Sequence, residues 1–278
     1  MDSISLLIGS AQLRPYIFAF FGLMLASAVP ALGLRRALAF TVIGWAVAFA
    51  AEFSSIRIGI PFGFYYYIPA TADRELWIGG VPFADSFSFT FLIYASYSTA
   101  LVLLRPLRRE GRWLVVGRPE QAWARATGLG AALLILLDVV IDPVALRGDR
   151  WFLGKLYGYY EPGWYFGIPM ANFIGWGLVG LVAMVLYRLA DRSLLREQAR
   201  RRPDLRMPLG LMGPVLYGMV LAFNLGVTFA IGEWLLGMAG LALSTPVLAL
   251  LGRRVAGALA ARGEAVDLSP VAGGVCSG

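Results

Sequence analysis

Residues 167–176 read GIPMANFIGW and open an apolar run over 168–189. Gly167-Ile168-Pro169 is a turn signal that sets proline at a helix start, where its missing N–H is no loss. The run behind it reaches the roughly 20 apolar residues a helix needs to cross the hydrocarbon layer. Asn172 sits three positions after the proline, about one turn inside that helix. The stretch GVPFADSFSF at 80–89 has the same layout, with Pro82 followed three positions later by Asp85. Two membrane-length segments thus carry a polar group at one place, and that placement asks for a reason.

The rest of the chain fits the same solvent. With 59% hydrophobic and 15% charged residues and a mean hydropathy of +0.70, its composition is that of a polytopic all-α membrane protein. Seven spans are expected, at 15–33, 37–56, 83–104, 126–143, 168–189, 209–230 and 234–251, the last two separated by Gly232-Glu233-Trp234. The net charge of +7 does not indicate nucleic acid, because the basic residues stand in blocks between the apolar runs. Arg35 and Arg36, the group from Arg105 to Arg125, the group from Arg188 to Arg206, and Arg253, Arg254 and Arg262 hold 18 of the 24 Lys and Arg, all in alternate loops and the C-terminal segment. The positive-inside rule then puts the N-terminus outside and the C-terminus in the cytoplasm, as an odd number of spans requires.

The first residues, MDSISLLIGS, contain Asp2 and no basic n-region, so the first span is expected to be retained. One transmembrane domain is expected over 1–262, followed by a disordered tail over 263–278 that holds the single cysteine, Cys276. A disulfide framework and a cysteine metal site are excluded, and no metal site is expected. Histidine is absent, so proton chemistry falls to carboxyl groups, tyrosines or the single Lys155.

In that topology the outer loops, 57–82 and 144–167, are rich in rings and glycine: GIPFGFYYY in one and WFLGKLYGYYEPGWYFGIP running through the other. An interfacial aromatic belt explains part of them. The repeated Gly-x-Pro turns need more. Glu52 precedes Pro82 by 30 residues and Asp138 precedes Pro169 by 31, so both units run helix, aromatic loop, Gly-x-Pro, helix. They read as parallel helix-hairpin repeats about an axis along the membrane normal.

An ionisable side chain inside a membrane is a functional hypothesis by default. Glu52, Asp85, Asp138, Asp142 and Asn172 all fall in the outer half of their spans, with Asn224 and Glu233 as fainter additions. Asp138 and Asp142, four apart, share a helix face, and Pro143 suggests a helix stop. Any one such group is accounted for by capping or interhelical hydrogen bonds. Five at one depth beside two aromatic loops read as a lined cavity. An apolar pocket favours the neutral carboxyl group, which is a general acid. Such a site suits protonation of an alkene to a tertiary carbocation between aromatic faces. Water or an internal alkene would capture the cation, and paired carboxyl groups would divide the acid and base roles.

The stretches PFGFYYY (61–67), GGVP (79–82), DVVIDP (138–143), Trp151 and YFGIPMANFIGW (165–176) resemble the membrane carotenoid biosynthesis family that includes CruF-type carotenoid 1,2-hydratases and bisanhydrobacterioruberin hydratase. The resemblance runs from about Glu52 to Trp176, with Asp-x-x-x-Asp-Pro and Tyr-x-Gly-x-Pro-x-x-Asn-Phe-x-Gly-Trp as its specific part. The chain departs from the pattern at Asp85, where an apolar residue is usual, and at Phe89, where a tryptophan is. The resemblance implies addition of water to the terminal isoprenoid double bond of an acyclic carotenoid end, without a redox cofactor. It also implies a bacterial or archaeal cytoplasmic membrane, the bilayer and an isoprenoid as partners, and association with other carotenoid enzymes. Matched polar residues are Glu52, Tyr65, Tyr67, Asp138, Asp142 and Asn172. The candidate catalytic set is Asp138, Asp142, Glu52 and Asp85, the last added from the repeat. The candidate substrate contacts are Asn172, Tyr65, Tyr67, Trp151, Tyr165 and Trp176.

Two other readings stand beside hydration. A proton-initiated lycopene-type cyclase shares the first step, although small membrane cyclases carry a proline-adjacent acidic pair absent here. A non-enzymatic lipid or isoprenoid carrier also uses a cavity with polar groups. A retinal protein is excluded, because its Schiff base needs a lysine in the last span, and LLGMAGLALSTPVLALLG (235–252) has none.

Overall fold

The computed structural model describes residues 2–117, 123–193 and 204–261. The expected tail at 263–278 lies outside the described residues, as does Arg262. Eight helices are present among the described residues, seven of them long and apolar enough to cross a membrane. These seven are α2 (Pro15–Leu32), α3 (Leu34–Ile58), α4 (Phe83–Leu104), α5 (Trp123–Ala145), α6 (Met170–Ser193), α7 (Gly213–Ala230) and α8 (Trp234–Ala260). A short helix not anticipated from the sequence, α1 (Ser3–Leu13), precedes them, and the Asp2 carboxylate caps it by accepting from the Ser5 N–H at 2.9 Å.

Prolines mark the helix starts, with Pro15 opening α2, Pro82 capping α4 and Pro214 in the first turn of α7. At the far end of α3, Gly59 takes a left-handed φ of 75° and its N–H closes on the Ser55 carbonyl at 3.0 Å. The stop expected at Pro143 does not occur, since α5 continues through it to Ala145. Proline leaves the carbonyl four residues back without its helical partner. That carbonyl, on Val139, instead accepts from the Tyr165 hydroxyl at 3.4 Å.

Helix α4 is the hub. It packs on α2, α3, α5, α7 and α8, and 72% of its apolar window is buried against 28% for α8. Lipid is as apolar as leucine, so helices gain by close approach and local hydrogen bonds more than by hiding oil. Helix α4 supplies both. Ala84, Ala95, Ser96, Thr99 and Ala100 are small and fully buried, and the Ser98 hydroxyl returns to the Tyr94 carbonyl at 2.7 Å. Gly213 of α7 comes so near that a Cβ there would collide with Ser98 Oγ.

The two expected hairpins pack as a ring, in which α3 and α5 each contact both α4 and α6. Their connecting loops also pair. Strand β1 (Tyr65–Tyr67) runs antiparallel to β6 (Tyr157–Tyr159), with Tyr65 opposite Tyr159 and Tyr67 opposite Tyr157. Two further small sheets were not expected. One is the ribbon of β2 (Trp77–Ile78) and β3 (Val81–Pro82), which leads into α4. The other, at the arginine-rich end, orders β4 (Leu107–Glu110), β5 (Trp113–Val116) and β7 (Leu205–Pro208).

Candidate functional site

A cavity of about 890 Å³, part of it open to the surroundings, lies at the end of the bundle covered by the aromatic loops. Four elements of the two hairpins bring polar groups to it. Glu52 projects from the last two turns of α3, is 3% exposed, and has an Oε2 with no hydrogen-bond partner among the described residues. Asp85 projects from the first turn of α4, where its Oδ2 accepts from the Tyr67 hydroxyl at 2.6 Å. On the other hairpin, Asp142 of α5 and Asn172 of α6 reach the same wall. The Asn172 amide donates to Asp142 Oδ2 at 2.6 Å and to both Asp138 oxygens, at 3.2 and 3.0 Å.

The covering ribbon explains the tyrosines. Residues two apart on a strand share a face, so β1 turns Tyr65 and Tyr67 inward and β6 does the same with Tyr157 and Tyr159. Tyr66 faces away, against Tyr160 at 5.0 Å between ring centroids. The four inward rings contact one another edge-on or tilted at 5.2 to 6.5 Å. The Tyr65 hydroxyl donates to that of Tyr67 at 3.3 Å, so a hydroxyl chain ends on Asp85. Burial, reinforced by the charges of Asp85 and Glu52, pushes the Tyr67 hydroxyl well above the ordinary tyrosine value. Burial, followed by Asp142, does the same to Tyr157 and Tyr159. These phenols stay protonated and act as donors, not as bases.

A second part of the wall is purely aromatic. Tyr16 and Phe20 of α2 meet Phe223 of α7 at 5.3 and 5.8 Å, and Phe20 meets Phe91 of α4 at 5.5 Å. The Arg14 charge, which also reaches Asp85, is held by Glu75 through a fork of two 3.0 Å bonds. Among the described residues, no group of three or more His, Cys, Asp or Glu side chains is arranged to hold a metal ion.

Of the residues singled out from the sequence, Glu52, Asp85, Asp142, Asn172, Tyr65, Tyr67, Trp151 and Trp176 line this cavity. Asp138 does not reach it. It is fully buried behind Asn172, one helical turn from Asp142, because its position on α5 faces α6 and not the chamber. Tyr165 is also off the wall, its hydroxyl on Val139 and its ring against Phe173 at 5.6 Å. Glu233 pairs with Arg147 at 3.0 Å and with Arg150, outside the cavity, while Asn224 does line it. Tyr157, Tyr159, Tyr16, Phe20 and Phe223 were missed. For the first two a signal existed, since Tyr-Gly-Tyr at 157–159 repeats the two-residue spacing of Tyr65 and Tyr67.

The pattern of carotenoid biosynthesis proteins matches residues 14–246, a stretch that contains every residue of the cavity wall. Over 197 residues the chain is 27% identical to the bisanhydrobacterioruberin hydratase of Haloarcula japonica, which covers 68% of this chain and 59% of that protein. The aligned part therefore spans about three fifths of the relative's length. No solved structure matches the chain. With the match covering most of the chain and its whole cavity, this integral membrane protein belongs to the carotenoid biosynthesis protein family.

Proposed function

We propose that the protein hydrates the terminal isoprenoid double bond of an acyclic carotenoid end by acid-initiated addition of water. The observation that carries this reading is Glu52, a buried carboxyl group on the wall of an aromatic chamber with one oxygen unpartnered. In the proposed reaction the neutral Glu52 carboxyl group gives its proton to the less substituted alkene carbon, using the π electrons, and a tertiary cation forms on the neighbouring carbon. The ring faces of Tyr65, Phe62 and Trp176, all on the wall, stabilise that charge. A water oriented by Asp142 and Asn172 adds its oxygen to the cation. Its surplus proton passes to Asp142, leaving a tertiary alcohol. Proton return to Glu52 through the tyrosine hydroxyls completes the cycle, so alkene and water are consumed and no redox cofactor is needed.

Within this proposal Asp138 is a positioning residue that fixes the Asn172 amide, and Asp85 holds the Tyr67 hydroxyl. The similarity to the Haloarcula japonica hydratase supports hydration over cyclisation. The proposed orientation places the cavity toward the outer leaflet of a bacterial or archaeal cytoplasmic membrane, with other carotenoid enzymes as neighbours. It rests on the distribution of arginine between alternate loops.

The test is expression in a lycopene-accumulating host with pigment masses compared between wild type and Glu52→Gln. Pigment heavier by one or two waters, absent in the variant, is the expected result. An isomer of unchanged mass would indicate cyclisation. Unaltered pigment, also with purified protein, would indicate a carrier.

A further inference from the structure

At the end of α4 remote from Asp85, packing buries a positive charge, Arg105, that no carboxylate among the described residues bonds. Pro106 disfavours helix at the residue before it, so Arg105 leaves α4 in extended conformation and folds its side chain back into the protein, where it is 6% exposed. Its Nε and Nη2 are buried and make no hydrogen bond among the described residues. Those two groups form one edge of the guanidinium, the edge with which Arg14 grips both oxygens of Glu75 at the opposite end of the bundle. Arg105 presents the same fork, with no carboxylate on it among the described residues.

The neighbourhood supplies more cations than anions. Arg254 of α8 lies against the same corner, with its Nε donating to the Val102 carbonyl at 3.3 Å and its Nη2 to the Arg105 carbonyl. Arg188 and Asp191 of α6 stand with Arg105 around Tyr97, and Asp191 is engaged with Arg36 of α3 at 2.7 Å. The carboxylates of the adjoining sheet, Glu110 and Asp204, are held by Arg108 and Arg206. Among the described residues, no carboxylate bonds Arg105. A buried guanidinium without an anion is unfavourable, and an oxyanion from outside the chain would relieve that cost.

We propose that Arg105 is the centre of a phosphate-binding site at the arginine-rich end. The planar guanidinium edge matches two oxygens of a phosphate group, and Arg254 borders the same point. Residue 105 directly follows a membrane-length helix, which is the depth of bilayer headgroups. A phospholipid headgroup and free phosphate share this chemistry. The bound group would clamp this end of α4, the helix that carries Asp85 and four further residues of the cavity wall. The site is independent of the reaction proposed for the cavity.

The test uses the full chain in detergent, freed of phospholipid, with thermal unfolding followed as inorganic phosphate replaces chloride at constant ionic strength. A parallel arm adds phosphatidylglycerol, and native mass spectrometry counts retained lipid. The wild type should be stabilised by at least one probe. Arg105→Gln should shift the half-saturating concentration at least about tenfold, Arg105→Lys should lie between, and Arg109→Gln, an exposed arginine on β4, should behave as wild type. Stabilisation by phosphate alone marks a soluble ligand, and by phosphatidylglycerol alone a headgroup. Should Arg105→Gln fail to fold, Arg105→Lys carries the comparison. Wild type indifferent to both probes, or responses of the Arg105 variants equal to wild type, would overturn the site.

Discussion

The two hairpins carry the same layout and end in opposite chemical states. In the second, the Asn172 amide ties Asp138 and Asp142 together, so both carboxyl groups share one donor within the protein. In the first, Asp85 takes the Tyr67 hydroxyl while Glu52, on the chamber wall, keeps a buried oxygen without a hydrogen-bond partner among the described residues. A closed network holds geometry, whereas an open carboxyl group in an apolar chamber has a proton to give. In the proposed reaction the hairpin with Asp85 at the proline-plus-three position supplies the reacting carboxyl group, and the one with Asn172 there supplies the orienting pair.

The largest effect should come from the open half. Glu52→Gln is expected to lower product formation at least about 100-fold, the ordinary value of a general acid, with membrane insertion and yield unchanged. Activity near wild type would move the proton donor to Asp142. Asn172→Leu comes next, because it leaves two buried carboxyl groups without their shared donor, at a cost of about 1 to 3 kcal/mol. A lowered unfolding temperature together with lost product would mark the second half as the ordered one. Asp138→Asn should keep the fold and lose roughly tenfold in product, since it removes one of the acceptors that aim the amide. If that loss equalled the Glu52→Gln loss, Asp138 would be more than a positioning residue.

Smaller effects should come from the tyrosine ribbon. Tyr67→Phe should cost only a few-fold in product, as Asp85 then lacks its donor but the chamber keeps its shape. The buried tyrosines should also titrate late. Burial raises them well above the ordinary tyrosine value of 10.0. The stabilisation they contribute is fully present below that pH and lost as pH rises through the elevated values. Ultraviolet titration should therefore show a fraction of tyrosine unionised above pH 10.0 until the protein unfolds. Ionisation of all twelve tyrosines around the ordinary value would show the ribbon open to water.

The spans were legible because hydrocarbon leaves the backbone no partner but its own helix, so an apolar run of sufficient length has one outcome. The polar groups were legible for the reverse reason, since each costs too much in lipid to be incidental. Which of them share a chamber was not. Asp138 and Asp142 occupy one helix face in sequence, yet only Asp142 reaches the cavity, because the orientation of α5 against α6 is a packing outcome. Tyr157 and Tyr159 needed a strand pairing between loops some 90 residues apart. Phe20 and Phe223 are rings on apolar helices, where any ring reads as ordinary packing. Pro143 misled because its freed carbonyl found a tyrosine hydroxyl 26 residues away.

Topology offers a separate check on where the two halves face. A cysteine placed in 144–164 should react with an impermeant reagent added outside the cell, and one near residue 112 should not. The reverse pattern would put the chamber on the cytoplasmic side.

The most direct measurement follows solvent atoms into the pigment. Wild-type and Glu52→Gln protein are given an acyclic carotenoid in deuterated water and, separately, in water enriched in heavy oxygen, and the products are analysed by mass spectrometry. Protonation at carbon followed by capture of water requires one carbon-bound deuterium and one solvent oxygen at each end that reacts, with neither in the variant. Pigment that takes up deuterium without oxygen, or that takes up neither, would contradict hydration at this site.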